Sequence, residues 1–129
     1  MVFSKREIFT SWVITIFLAV LIFYVSSLSF APSSSSNTGY KAIVYHMTIF
    51  FFLAFFLSVS LTKGKNSKLI ILSMVICLIY AFLDEFHQSF VPGRNSSLGD
   101  VFIDGVGIII SSVIIAIKIN DPDRIPEGS

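Results

Sequence analysis

The sequence predicts an all-α fold, an integral membrane bundle of four transmembrane helices. Three observations carry that prediction. Of the 129 residues, 54% are hydrophobic and 13% are charged, against roughly 25% charged in an ordinary soluble domain. Nine basic and eight acidic side chains cannot supply a water-facing surface, and 14 Phe would leave apolar patches exposed. Four apolar runs cover residues 9–30, 42–62, 69–91 and 101–119, each close to the roughly 20 residues that a helix needs to cross a bilayer. The segments between them, APSSSSNTGYK, KGKNSK and VPGRNSSLGD, are short and polar, as expected of tight links between antiparallel neighbours.

The first run follows Lys5 and Arg6 and resembles a signal peptide, with Ser29 and Ala31 at cleavage-like spacing. Its apolar stretch exceeds the roughly 7 to 15 residues of a signal core, so an uncleaved helix is expected. Phe, Ile, Val and Leu dominate all four runs and would favour strands in water. A helix satisfies its own backbone inside a bilayer, so length outranks β-propensity. Residues 1–120 form one four-span domain, and the tail IKINDPDRIPEGS ends in a polar stretch, 121–129, expected to be disordered.

Orientation follows from the short flanks. With four spans both termini share a side, and that side collects Lys5, Arg6, Lys63, Lys65, Lys68, Lys118 and Arg124, against Lys41 and Arg94 opposite. The positive-inside rule then puts the termini in the cytoplasm of a multi-pass cell-membrane protein. A net charge of +1 argues against a nucleic-acid partner, and the lone Cys excludes a disulfide framework or a Cys-rich zinc site. Cys77 is expected to be a buried apolar filler. Trp12, Tyr24, Tyr40, Tyr45 and Tyr80 include candidates for the interfacial aromatic belt. Asn95-Ser96-Ser97 fits a glycosylation sequon close to the membrane.

The informative residues are those that a membrane should exclude. Asp84 and Glu85 lie inside the third run, Asp100 and Asp104 open the fourth, and His46 lies near the start of the second. Ionisable groups in spans are functional candidates by default. The topology places all five near the outer leaflet. Asp84, His87, Gln88 and Val91 share one helical stripe, and Asp100, Asp104, Gly107 and Ser111 share another. Adjacent helical residues point about 100° apart, so only one of Asp84 and Glu85 need face the site. Gly105 and Gly107, with Ser111 and Ser112, would let the fourth helix approach a neighbour closely.

The run DEFHQSFVPGRNSSLGDVFIDGVG resembles the signature of the VanZ-like membrane protein family. The matching positions are Asp84, Glu85, Gln88, Phe90, Pro92, Gly93, Arg94 and Asp100. Lys41 and His46 at the second span are similar to a Lys and His of the family, and Ser26, Ser27, Ser29 and Pro32 resemble the end of its first span. Asp104 stands where the family usually has Asn, and Ser111 where it has Gly. The family is named after a teicoplanin-resistance protein, so the resemblance implies a cell-envelope role with glycopeptide resistance in the background. It does not supply a reaction.

Each polar residue admits a functional and a structural role. Asp84 with Glu85 suits a general acid/base pair or a metal site, since two carboxylates in low dielectric do not both ionise cheaply. Alternatively, one pairs with Arg94 or caps a neighbouring helix. Arg94 suits a phosphate or carboxylate, on a head group, a substrate or Asp100, or an internal ion pair. Asp100 is a candidate N-cap of the fourth helix. Asp104 lies too deep for capping and needs Arg94, His46 or a bound cation to neutralise it. Gln88 can orient a carboxylate or a substrate amide, and His87 fits an interfacial position. The carboxylates with His46 suit a hard divalent cation, or zinc if two His approach. No compact metal motif such as H-E-x-x-H occurs, and the sequence leaves both a metal and a cofactor open.

The expected site is an outward-facing pocket built by the second, third and fourth helices and the Pro-Gly-Arg loop. Membrane lipids are the expected partners, with a lipid, lipid-linked or glycopeptide-like molecule as ligand. In an enzyme, Asp84 or Glu85 would act as general base, Arg94 would hold an anionic group, and Asp100, Asp104 and His46 would orient it or bind metal, with Gln88 beside them. In a binding protein the same groups would recognise a head group or drug. A closed network that only fixes helix packing is the structural alternative.

Overall fold

The computed structural model describes residues 3–29, 38–94, 96–121 and 123. Ala31, Pro32, Asn95 of the sequon, Arg124 and most of the polar tail lie outside the described residues. Four helices follow one another: α1 (Lys5–Ser26), α2 (Thr38–Thr62), α3 (Leu69–Gln88) and α4 (Leu98–Ile119). Each is long and apolar enough to span a membrane. Among the described residues there is no strand.

Helix boundaries depart from the apolar runs where local polar chemistry sets them. α1 begins at Lys5 because Ser4 and Glu7 form a capping box. Ser4 Oγ accepts from the Glu7 N–H (3.1 Å), and the Ser4 N–H donates to Glu7 Oε2 (2.7 Å). α3 stops at Gln88, three residues before the predicted end, and the chain turns through Gly93 at φ 79°. α4 starts early, at Leu98, because the Ser97 hydroxyl accepts from the Asp100 N–H at 3.2 Å. Ser97 is therefore the N-cap. The expected cap, Asp100, is one turn inside, where its charge still favours the positive end of the helix dipole.

Successive helices pack as antiparallel neighbours, yet the most extensive interface joins α2 to α4, which run parallel. α2 touches all three other helices. Its Phe50 and Ala54 are fully buried, with Leu53 and Leu57 nearly so, against Ile22, Cys77, Ala81, Val101 and Ile108. A second apolar cluster, Phe3, Val59, Ile70, Ile115 and Ile119, closes the end nearer the termini. Large apolar side chains such as Phe9, Phe17, Phe82 and Phe102 are exposed, as suits a lipid-facing surface.

Small polar residues line the helix contacts. Thr15, Thr62 and Ser112 donate back to carbonyls four residues earlier, and Ser58 Oγ meets Ser73 Oγ at 2.9 Å across α2 and α3. Gly107 permits the α2–α4 approach. A Cβ there would collide with the Met47 carbonyl oxygen and lie 3.2 Å from the Phe51 nitrogen. Gly105, expected to act likewise, does not, because its Cβ would sit 3.7 Å from a Leu78 methyl, an ordinary contact.

Candidate functional site

The ends that meet at the site are the C-termini of α1 and α3 and the N-termini of α2 and α4. His46 is two turns into α2, and Asp104 about one and a half turns into α4. The close backbone approach at Gly107, one turn beyond Asp104, brings the two helices together. His46 Nδ1 lies 2.9 Å from Asp104 Oδ1, both groups being buried. With its proton on Nδ1, the imidazole donates to the carboxylate. His46 is thus the partner of Asp104, chosen from the three that the sequence left open. Tyr45 packs edge-on against the same imidazole.

Asp84 and Glu85 are both 6% exposed. Only one of the two need face a site, yet both are buried, because α3 has helix neighbours on more than one face. Asp84 turns towards α1. Its Oδ2 accepts from Gln88 Nε2 at 3.1 Å, and the buried Ser26 hydroxyl lies beside it. Glu85 turns towards α4, where its Oε2 accepts from the Ser97 N–H at 3.0 Å. That contact fixes the residue before the first turn of α4, so the capping role foreseen for one of the two acids falls to Glu85. Its other oxygen, Oε1, is buried without a hydrogen-bond partner among the described residues, as is Asp104 Oδ2.

Arg94 leaves the Pro-Gly turn and reaches back to α1, where Nη2 donates to the Val25 carbonyl oxygen at 2.6 Å. A helix C-terminus offers unpaired carbonyls and partial negative charge, so a guanidinium suits it. α1 therefore takes part in the site, which the sequence reading assigned to the other three helices and the loop. Ser26 and Ser27 at its end were the available signal. His87 lies at the same α1 boundary, stacked on Phe23, with Nε2 2.9 Å from Ser27 Oγ. Asp100 is half-buried at the start of α4.

Beside this cluster, α3 and α4 frame a cavity of about 320 Å³. Phe82, Phe86, Leu98 and Val101 form its apolar walls, and Glu85, Ser89, Ser96 and Ser97 its polar part. This groove was not legible in the sequence, because its walls are ordinary spanning-helix residues and Ser89, Ser96 and Ser97 join them only through the fold. A second cavity, of about 360 Å³, lies at the opposite end among Phe3, Arg6, Glu7, Phe55, Phe56 and Lys118.

The fold and the polar cluster define a class: a four-helix membrane-spanning protein with ionisable groups from three spans gathered at one end. A profile of the VanZ/LLP1 family matches residues 9–119. The chain belongs to that family. Neither a curated protein nor a solved structure matches it.

Proposed function

We propose that this chain is a cell-envelope protein that binds the polar head of an amphiphile, a lipid or lipid-linked molecule, in the groove between α3 and α4 at the outer leaflet. The observation that carries the reading is Glu85, which lines a groove with four apolar wall residues and whose Oε1 is buried without a hydrogen-bond partner among the described residues. A carboxylate oxygen left unpaired in low dielectric costs several kcal/mol by order of magnitude. A hydroxyl- or amine-bearing head group would satisfy it while an acyl or prenyl chain lies on Phe82 and Phe86. The half-buried Asp100 and the buried Asp84 and Asp104 add negative charge nearby, which favours a head group with hydrogen-bond donors.

The outward placement of this end rests on the basic residues. Among the described residues, Lys5, Arg6, Lys63, Lys65, Lys68 and Lys118 lie towards the other end, with only Lys41 and Arg94 at the site end. Cys77 is fully buried, so an engineered cysteine reports cleanly. An impermeant thiol reagent added to intact cells should label a cysteine at Ser96 and spare one at Lys65; the reverse pattern refutes the outward site.

Catalysis is a second reading of the same groove, favoured by the proximity of Asp84, Glu85, Asp104 and His46, any of which could move a proton. Native mass spectrometry of the protein in nanodiscs tests both readings. Wild type should retain an amphiphile that Glu85→Gln and the groove-narrowing Ser89→Trp lose at least tenfold. A ligand returned unchanged indicates binding and a converted one indicates catalysis. Equal occupancy in all three proteins would end the amphiphile proposal.

A further inference from the structure

We infer that His46, Glu85 and Asp104 form a binding site for one divalent transition-metal ion, with zinc as the best-fitting member of that class. One imidazole nitrogen and one carboxylate oxygen from each acid lie within 4.8 Å of one another, and all three residues are buried. They come from α2, α3 and α4, so the site exists only when the bundle is assembled. The 2.9 Å between His46 Nδ1 and Asp104 Oδ1 is close to the edge of a coordination polyhedron, which is about 3.0 to 3.4 Å for ligand bonds of about 2.1 Å. Separations of up to 4.8 Å must close by up to about 1.5 Å, and the proton on Nδ1 is released when an ion binds.

A hydrogen-bonded trio without metal accounts for less of the geometry. Glu85 Oε1 and Asp104 Oδ2 are buried with no hydrogen-bond partner among the described residues. One carboxylate oxygen of this kind is costly, and two within one cluster of acids also repel each other. Charge points the same way. Asp84, Glu85 and Asp104 are buried carboxylates and Asp100 is half-buried near them, and a divalent ion among them would offset negative charge that a low-dielectric interior disfavours.

The donor set decides the class of ion. Imidazole favours zinc and the later transition metals over magnesium and calcium, and the carboxylates exclude a preference for soft monovalent copper. The one thiol, Cys77, lies two turns from Glu85 and faces the apolar core. Three protein ligands leave a coordination position for water or a head-group oxygen, the arrangement of catalytic rather than structural zinc. The ion's occupancy does not depend on the amphiphile, because all three ligands are protein groups.

The test uses the full chain in lipid nanodiscs, stripped with a chelator and washed free of it. Calorimetric titration with Zn²⁺ should show one saturable site per chain, with Mg²⁺ and Ca²⁺ at least a hundredfold weaker. Titration with Co²⁺ should produce visible ligand-field absorption, which Zn²⁺ then bleaches. Glu85→Gln and Asp104→Asn preserve shape and should each weaken Zn²⁺ at least tenfold. If either variant fails to fold, as judged by circular dichroism and gel filtration, the cobalt spectrum of wild type decides alone. Absence of that absorption, or folded variants that bind Zn²⁺ as wild type does, overturns the metal site. Because Glu85 serves both readings, Ser89→Trp and Asp104→Asn separate them: loss of lipid with Zn²⁺ binding intact ends only the amphiphile reading, and loss of Zn²⁺ binding with lipid retained leaves that reading standing.

Discussion

At the scale of single residues, Gly107 determines whether the site exists. Its missing side chain allows the α4 backbone to lie against Met47 and Phe51 of α2, which sets the distance between His46 and Asp104. Gly107→Ala must push the helices apart and should destabilise the protein by about 1 to 3 kcal/mol, the usual range for overpacking. Gly105→Ala meets only the end of Leu78 and gains helix propensity, so its effect should lie between neutral and about 1 kcal/mol of stabilisation. Thermal unfolding in one detergent separates the two, and equal effects would show that close approach at residue 107 is not special. The sequence marked both glycines because both stand at small-residue spacing. Only packing tells them apart.

Residue-level reading also located the ionisable groups but could not pair them. Asp104 needed a counter-group, and three were compatible with its depth. The choice of His46 depends on the α2–α4 approach, a long-range fact with no local signature. Glu85 capping Ser97 was legible in outline, since an acid near the start of the next helix is a known device. Which acid would do it was not, because adjacent helical positions differ by about 100° in direction and the neighbours on each face were unknown. The Ser4 to Glu7 capping box is a different case. Its S-x-x-E pattern stands in the sequence, and the apolar run drew the boundary past it.

At the scale of elements, the turn between α3 and α4 links three helices. Glu85 of α3 holds the Ser97 N–H, Ser97 caps α4, and Arg94 holds the Val25 carbonyl of α1. Arg94→Ala removes the side-chain donor to the Val25 carbonyl and leaves it the Leu28 N–H at 3.1 Å, so the last turn of α1 should fray more readily. Amide hydrogen exchange over residues 23–27 should accelerate severalfold, while exchange over the middle of α2 stays unchanged. If Arg94→Ala leaves the end of α1 as protected as before, the guanidinium is not what holds it. The four spans were legible because hydropathy and length alone decide them in a bilayer. The role of α1 in the site was not, since its contribution at Val25 is a backbone carbonyl, and every residue has one.

At the scale of the whole molecule, polarity is distributed against the usual pattern of a soluble protein. Apolar side chains face outward, small polar residues line the helix contacts, and the buried ionisable groups His46, Asp84, Glu85 and Asp104 gather at one end of the bundle. Assembly of the bundle is therefore also assembly of the site, since no helix carries more than part of it. The double-mutant cycle of His46→Leu and Asp104→Leu, measured by reversible unfolding of chelator-treated protein in detergent, tests that convergence most directly. Each single change leaves a buried polar group without its partner, and the double change removes both. The two effects should fall short of additivity by about 1 kcal/mol, in the upper part of the range for hydrogen bonds between membrane helices. Additivity to within about 0.3 kcal/mol would mean that α2 and α4 do not bring these side chains together.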